Sequence, residues 1–355
     1  MLVLRGFHHP DIAPACALTI GNFDGVHRGH QAMLALLNAE AAQRGVPSCA
    51  LTFEPHPRDY FAKVQQRPEL APARVGTLRD KLSELARCGV QQTVVLRFDA
   101  ALASQSPETF VQDVLVRGLG ARYVLVGDDF RFGRQRAGDH RLLAEAGQQF
   151  GFDVARMNSY EISYQHAAAP GTAQPVRVSS SEVRAALAAG RMDDAAQLLG
   201  RPYAISGHVV HGRKLGRALG EAQSGAGDGF RTLNLRFAHW KPAASGIFAV
   251  WVHGLAPEPL PGVANLGIRP SLDPQDANGG RVLLETHCLE WPAHLGEEGA
   301  YGKIIRVELM HKLHDELRYD SLQALTDGIA RDCAEARAWF SAHAETRRQT
   351  TRDRI

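Results

Sequence analysis

The chain has 355 residues, 45% of them hydrophobic, with a formal net charge of +2, which allows two domains with apolar cores. This small net charge argues against a protein that coats nucleic acid. The sequence has no apolar run long enough for a membrane span and no apolar N-terminal signal. We therefore expect a cytoplasmic monomer or weak homo-oligomer, with neither nucleic-acid nor membrane partners.

The first half of the sequence alternates between strand and helix patterns. Strands are predicted at residues 15–20, 48–53, 92–98, 123–126 and 152–157, and helices at residues 31–44, 77–88, 107–118 and 139–151. Cys16 and Cys49 fall in the predicted strands and, like Cys288 later in the chain, are interpreted as core residues. Such alternation predicts a parallel sheet with helices on both faces and ligands at the carboxyl ends of the strands.

The second half has a different pattern. Strands are predicted at residues 204–210, 232–236, 246–252, 282–289 and 303–310, turns at 257–262 and 270–280, and a last helix at 321–343. Short strands separated by turns predict a small antiparallel barrel. The two folds are expected to join near residues 187–201, through short helices at 186–190 and 192–200. We expect domains at 1–186 and 187–345, followed by a disordered basic tail at 346–355.

The sequence GNFDGVHRGH at residues 21–30 lies between the first predicted strand and the first predicted helix. Backbone N–H groups and the positive end of the helix dipole make this position an anion site. His27 and His30 add hydrogen bonds, or positive charge if protonated. Such a pair also occurs among ordinary surface residues, so the flanking strand and helix support the functional interpretation. The expected phosphate-binding residues are Gly21, Asn22, Phe23, Asp24 and Gly29, with His27 and His30 as catalytic residues.

This motif resembles that of the bacterial bifunctional riboflavin kinase/FAD synthetases. Two later segments match the same family in order and spacing: GDDFRFG at residues 127–133 and VSSSEVR at residues 178–184. By themselves these segments are compatible with an acidic turn and with a helix N-cap. The resemblance implies that Gly127, Asp129, Phe130 and Phe132 hold flavin and nucleotide. It implies that Ser180, Ser181 and Arg184 close on the ATP triphosphate.

The glycine-rich basic segment at residues 207–220 resembles the start of a riboflavin kinase domain, although a basic hairpin would have a similar composition. The resemblance implies that Gly207, Gly212, Lys214, Gly216 and Thr232 bind ATP phosphates, and that Thr232 and Asn234 face a metal ion. The chain departs from the family motif F-P-T-x-N-L in two ways. Residues 221–229 intervene, and Arg231 replaces the proline.

Two further segments, GVANLGIRPS at residues 262–271 and LLETHCL at residues 283–289, resemble the flavin side of the kinase. They place Asn265 and Arg269 at the flavin and make Glu285 the base that accepts a proton from the riboflavin 5′-hydroxyl. A glutamate that follows leucines on a strand is otherwise expected to be a solvated outward residue.

The sequence therefore predicts an α/β Rossmann-like nucleotidyltransferase domain, followed by a small antiparallel Greek-key β-barrel with a C-terminal helix. The resemblance implies phosphorylation of riboflavin to FMN in the barrel and adenylylation of FMN to FAD in the first domain, with ATP and Mg²⁺. One alternative is another H-x-G-H nucleotidyltransferase with an unrelated appendage. A second alternative is an FAD synthetase with a non-catalytic flavin-binding barrel.

Overall fold

The computed structural model of the chain describes residues 1–164, 174–211, 231–237, 241–269, 281–296 and 298–343. The predicted phosphate-binding residues Gly212, Lys214 and Gly216 lie outside the described residues. So do residues 221–229, which interrupt the family motif, and the predicted basic tail at 346–355.

The first half alternates strands and helices as predicted. The strands are β1 Leu2–Arg5, β2 Cys16–Ile20, β3 Ser48–Glu54, β4 Gln92–Arg97, β5 Ala121–Gly127, β6 Asp153–Met157, β7 Glu161–Tyr164 and β8 Gln174–Arg177. The helices are α1 Arg28–Arg44, α2 Pro57–Val64, α3 Leu78–Arg87, α4 Ala100–Ser104, α5 Pro107–Thr109, which continues as a π-helix over Phe110–Gly118, and α6 His140–Phe150.

The main sheet of this half has six parallel strands in the order β1-β4-β3-β2-β5-β6. One apolar cluster includes Leu34 and Leu37 of α1, and a second includes Val111 and Leu115 of the π-helix. Cys16 and Cys49 are fully buried, as expected. The strand-and-helix layers therefore bring the carboxyl ends of β2, β3 and β5 to one edge, where ligands bind in this architecture.

Several elements differ from the sequence prediction. Strand β1, helices α2 and α4, and the β7–β8 hairpin were not predicted, because each is too short to show a clear periodicity. The turn predicted at residues 257–262 is partly wrong, because a strand already begins at Leu260 and pairs with Val252. The short helix predicted at 186–190 is also wrong, because one continuous helix, α7, covers Ser180–Ala188.

The second half contains helix α8 Met192–Leu199 and then six strands. These are β9 Tyr203–Val210, β10 Leu233–Arg236, β11 Gly246–His253, β12 Leu260–Arg269, β13 Arg281–Cys288 and β14 Ile304–His314. They close into an antiparallel barrel in the order β10-β13-β12-β11-β14-β9. Strands β11, β12 and β13 follow one another, and β14 returns to pair with β11, which is the predicted Greek-key connection.

The last helix, α9 Leu322–Ala342, packs its buried Cys333 and Ala336 against Ile247, Ala249 and Val263 of the barrel. Its N-cap is Ser321, whose hydroxyl accepts a hydrogen bond from Ala324 N–H. Such a cap satisfies one of the free N–H groups of the first turn. The predicted C-terminal helix is therefore confirmed, and Cys288 is buried in this half as expected.

Contacts between Cα atoms separate the chain into two compact units. Of the described residues, 1–72, 78–164 and 174–180 form the first unit, and 73–77 and the residues from 181 onward form the second. No helix in the described part of the chain is long and apolar enough to cross a bilayer.

Candidate functional site

The loop between β2 and α1 has an unusual backbone. Phe23 and Val26 have positive φ angles of 47° and 40°, and Gly25 has a φ of 85°. A positive φ is costly for residues with a side chain and persists only where the surroundings enforce it. The Phe23 and Val26 side chains are completely buried, and this packing stabilises the loop. The strained loop therefore fixes the position of the residues that follow it at the start of α1.

His27 is the N-cap of α1. Its Nδ1 accepts a hydrogen bond from the backbone N–H of His30 over 3.3 Å. The proton of a neutral His27 ring is therefore on Nε2. The His27 and His30 rings stack with their centroids 3.7 Å apart, and Phe23 contacts His30 edge-on at 5.1 Å. The stacked histidine pair thus lies at the positive end of the helix dipole.

His30 is neutral at physiological pH. Burial lowers its pKa to about 3, and the positive charge of Lys81 contributes to this shift. Of the two possibilities left open by the sequence, hydrogen bonding and positive charge, only hydrogen bonding is available to His30 near pH 7. Its Nδ1 is buried and has no hydrogen-bond partner, so the ring retains an unused polar atom at this site.

Lys81 is a site residue that the sequence reasoning missed. It lies on α3 with 4% of its surface exposed, and its Nζ donates to Thr52 Oγ1 over 3.3 Å. Thr52 Oγ1 donates in turn to the carbonyl oxygen of Asn22. A lysine in the apolar stripe of a predicted helix, three residues after Leu78, was the available signal. Lys81 places a buried positive charge beside the loop.

The glycines of the loop have packing roles. A Cβ at Gly21 would lie 3.1 Å from the Phe23 ring, and one at Gly29 would lie 3.3 Å from the His27 ring. Asn22 carries a buried Oδ1 without a hydrogen-bond partner, and Asp24 is buried. The phosphate-binding roles predicted for these residues remain predictions.

The serine segment meets the same loop. Ser180 lies in the first turn of α7, and its hydroxyl donates to the carbonyl oxygen of Asp24 over 2.9 Å. Ser181 is exposed. In the second unit, Arg184 Nε donates to the carbonyl oxygen of Ala73 over 2.6 Å. The structure thus brings Ser180 to the histidine loop and attaches Arg184 to residues 73–77.

The predicted flavin segment follows β5, which ends at Gly127. Asp129 is exposed, and its carboxylate lies 3.3 Å from Arg177 Nη2. Phe132 is buried in the core and packs on Phe110, whereas Phe130 is partly exposed and stacks on Phe132 at 5.4 Å. Of the two rings, Phe130 therefore has the more accessible face.

In the barrel, three predicted site residues lie side by side on neighbouring strands. Glu285 of β13 is directly opposite Asn234 of β10 and Asn265 of β12. Directly opposed residues of antiparallel strands have Cβ atoms about 5 Å apart and project to the same face. The adjacent Leu284 and Thr286 are buried inside the barrel, so Glu285 faces outward, in the company of two amides.

The polar groups around Glu285 suit a hard cation or a sugar hydroxyl. Asn265 Oδ1 is buried and has no hydrogen-bond partner. Asn234 is also buried, and its Nδ2 donates to the carbonyl oxygen of Thr232 over 3.3 Å. Thr232 immediately precedes β10, so the expectation that it lies on the strand is wrong. The carboxylate, the amides and the threonine hydroxyl supply oxygen atoms, which are the ligands that Mg²⁺ prefers.

Two other predicted kinase residues, Gly207 and Arg269, lie on strands β9 and β12 of the barrel. Gly207 of β9 lies close to the Leu235 side chain. A Cβ at position 207 would lie 3.3 Å from that side chain. Arg269 is the last residue of β12, and its backbone pairs with Arg281 of β13.

Comparison with known proteins agrees with both parts of the fold. Residues 9–168 match the FAD synthetase family, and residues 199–340 match the riboflavin kinase family. A crystal structure described as a macrolide-efflux protein from Streptococcus pneumoniae has a similar fold. Its TM-score is 0.68 at 22% identity, covering 96% of this chain and 100% of the other.

Relatives match along almost the whole chain. The bifunctional riboflavin kinase/FMN adenylyltransferase of Escherichia coli K12 is 42% identical, over 96% of this chain and 98% of the relative. Proteins with the same description from Pseudomonas fluorescens and Haemophilus influenzae are 40% and 36% identical, over 95% and 96% of this chain and 97% and 100% of the relatives. The chain therefore belongs to the family of bifunctional riboflavin kinase/FMN adenylyltransferases.

Proposed function

We propose that each compact unit catalyses one of the two reactions of the family. The second unit phosphorylates riboflavin to FMN, and the first unit transfers AMP from ATP to FMN, forming FAD and releasing pyrophosphate. The observation that carries this proposal is the alignment of Glu285 with Asn234 and Asn265 on the barrel. These three residues supply a carboxylate and hydrogen-bonding amides in a unit separate from the His27–His30 stack.

In the kinase reaction, Glu285 accepts the proton of the riboflavin 5′-hydroxyl as that oxygen attacks the γ-phosphorus of ATP, and ADP leaves. A carboxylate near a hydroxyl can act as a general base in this way. Asn265 and Arg269 contact the flavin. Thr232 binds the ATP phosphates together with Gly207 and the glycine-rich segment that contains Gly212, Lys214 and Gly216.

Mg²⁺ fits the oxygen-rich surroundings of Glu285, where Asn265 Oδ1 is buried without a partner. Thr232 and Asn234 are the residues proposed to hold the ion. When bound, Mg²⁺ neutralises phosphate charge and orients the triphosphate.

In the adenylyl transfer, a phosphate oxygen of FMN attacks the α-phosphorus of ATP. His27 and His30 donate hydrogen bonds to the phosphate that gains charge, and the start of α1 adds its dipole. Ser180 contacts the departing pyrophosphate, and the triphosphate role implied for Ser181 and Arg184 stays a prediction. Gly127, Asp129, Phe130 and Phe132 form the proposed flavin and nucleotide contacts, with Phe130 offering its face to the ring.

The test is chromatography of the products formed by full-length protein from riboflavin and Mg–ATP. We expect FMN and FAD. Glu285→Gln should abolish FMN formation but retain FAD formation from supplied FMN. His27→Ala should abolish FAD formation but retain FMN formation from riboflavin. Loss of both activities in both folded variants would contradict the assignment of one reaction to each unit.

The same assay separates the alternatives. Binding of flavin without formation of FMN or ADP would indicate a non-catalytic barrel. Adenylylation of another phosphate ester, but not of FMN, would indicate a different nucleotidyltransferase. We further propose that the protein is cytoplasmic and acts as a monomer or weak homo-oligomer, which light scattering at several concentrations can test.

A further inference from the structure

The backbone just before β10 is held by the side chain of Arg231. Its Nη1 donates to the carbonyl oxygen of Gly296 over 3.2 Å, and its guanidinium lies 5.4 Å from the centre of the Trp291 ring. Trp291 Nε1 donates to the same Gly296 oxygen over 2.8 Å. A guanidinium within about 6 Å of a tryptophan ring is attracted to its face. Arg231 is therefore anchored at two points to the segment that follows β13.

A third contact reaches the main chain of Arg231. His287 Nδ1 lies 3.0 Å from the Arg231 carbonyl oxygen. A carbonyl can only accept, so Nδ1 carries the proton and donates. His287 is partly buried, and burial lowers its pKa.

His287 also connects this backbone to the proposed base. It lies two residues after Glu285 on β13 and therefore projects to the same face of the barrel. On the other side of the contact, Arg231 precedes Thr232, whose carbonyl accepts a hydrogen bond from Asn234. Strand β13 links Glu285 to His287, and one hydrogen bond links His287 to Arg231, the neighbour of Thr232. The base is thus connected to the predicted metal-binding residues.

We propose that Arg231 and His287 are positioning residues for riboflavin phosphorylation, which hold Thr232 and Asn234 in register with Glu285. The inference rests on the proposed kinase site. The family motif has proline at position 231, and a proline ring restrains its own backbone. Arginine has no such ring. In this chain the guanidinium and the carbonyl contacts restrain the same position from outside.

The experiment measures steady-state riboflavin kinase activity of full-length variants. We expect Arg231→Ala and His287→Ala each to lower kcat about ten-fold, while the riboflavin KM changes less than about two-fold, because misplaced groups weaken the transition state more than ground-state binding. His287→Asn should restore most of the activity, because its side-chain amide can donate from nearly the same position as Nδ1. Arg318→Ala, at an exposed arginine of the same unit, is the matched control and should behave as wild type.

Two internal checks separate positioning from unfolding. FAD formation from supplied FMN should stay unchanged in every variant, and tryptophan fluorescence should show a folded barrel. If Arg231→Ala does not fold, Arg231→Met takes its place, because it keeps the aliphatic stem and cannot donate to Gly296. The same roughly ten-fold loss of kcat is expected from it.

The inference is overturned if folded Arg231 and His287 alanine variants keep kcat within about two-fold of wild type. It is also overturned if His287→Asn is as impaired as His287→Ala and is less stable to the same extent, because that result would indicate packing alone. Glu285→Gln is measured in parallel. If it still forms FMN, the proposed kinase site itself is wrong, whereas if it is inactive and the alanine variants are not impaired, only the positioning role is wrong.

Discussion

The neutrality of His30 makes helix α1 sensitive to acid. The folded protein holds the pKa of His30 at about 3, against 6.5 for an unperturbed histidine. Below pH 6.5 the unfolded chain therefore binds a proton that the folded chain excludes, and the free energy of unfolding falls as pH falls. Each pH unit corresponds to about 1.4 kcal/mol. The shifted pKa of His30 alone should then lower the free energy of unfolding by roughly 2 kcal/mol between about pH 6.5 and about pH 5. The total decrease should reach about 5 kcal/mol near pH 3.

Hydrogen exchange read by mass spectrometry is the suitable measurement. All four tryptophans lie between residues 240 and 339, so fluorescence does not report on α1, whereas peptides from Arg28–Arg44 do. We expect the protection of α1 to fall by roughly 2 kcal/mol more in wild type than in His30→Gln when pH drops from about 7 to about 5, after correction for intrinsic exchange rates. His9→Gln, at an exposed position, should show the wild-type dependence. Equal pH dependence in wild type and His30→Gln would refute the reasoning.

Three further predictions concern other contacts. Ser180→Ala removes the hydrogen bond to the Asp24 carbonyl and should lower the rate of FAD formation about ten-fold without changing riboflavin phosphorylation; an unchanged rate would show that the loop holds its position without it. Lys81→Met keeps the buried stem but removes the charge, and should reduce FAD formation while weakening the acid sensitivity of α1; retention of both wild-type properties would contradict a role for the ammonium. His314 Nε2 contacts the Asp332 carboxylate at 2.9 Å, and hydrogen bonds to the Asp315 carbonyl and to Asp332 raise the His314 pKa despite partial burial. The contribution of His314 to stability is therefore complete below about pH 6.5 and is lost as pH rises through the raised pKa. Urea denaturation followed by tryptophan fluorescence measures this loss. The barrel should become less stable above about pH 6.5 in wild type but not in His314→Gln.

Periodicity and local motifs were sufficient for much of the architecture. The alternation of apolar strands and helices predicted the parallel sheet, because strand and helix periods leave different spacings of buried residues. The glycine and histidine motif predicted a helix that begins at residue 31, and the helix begins three residues earlier, with His27 as its N-cap. In the barrel, the strand pattern by itself favoured a solvated outward-facing Glu285, and only the family resemblance supplied its proposed role as the base.

Tertiary structure decided which residues meet. The sequence separates Asn234, Asn265 and Glu285 by long stretches, and only strand pairing places them directly opposite one another. Likewise, the neutrality of His30 depends on burial and on Lys81 from another helix, which no local pattern encodes. Arg231 appeared in the sequence only as a departure from a motif, and the contacts with His287, Trp291 and Gly296 give it a definite position. Local chemistry thus determined the elements and the types of polar group, whereas protonation and alignment followed from packing, because both depend on neighbours that are distant in the chain.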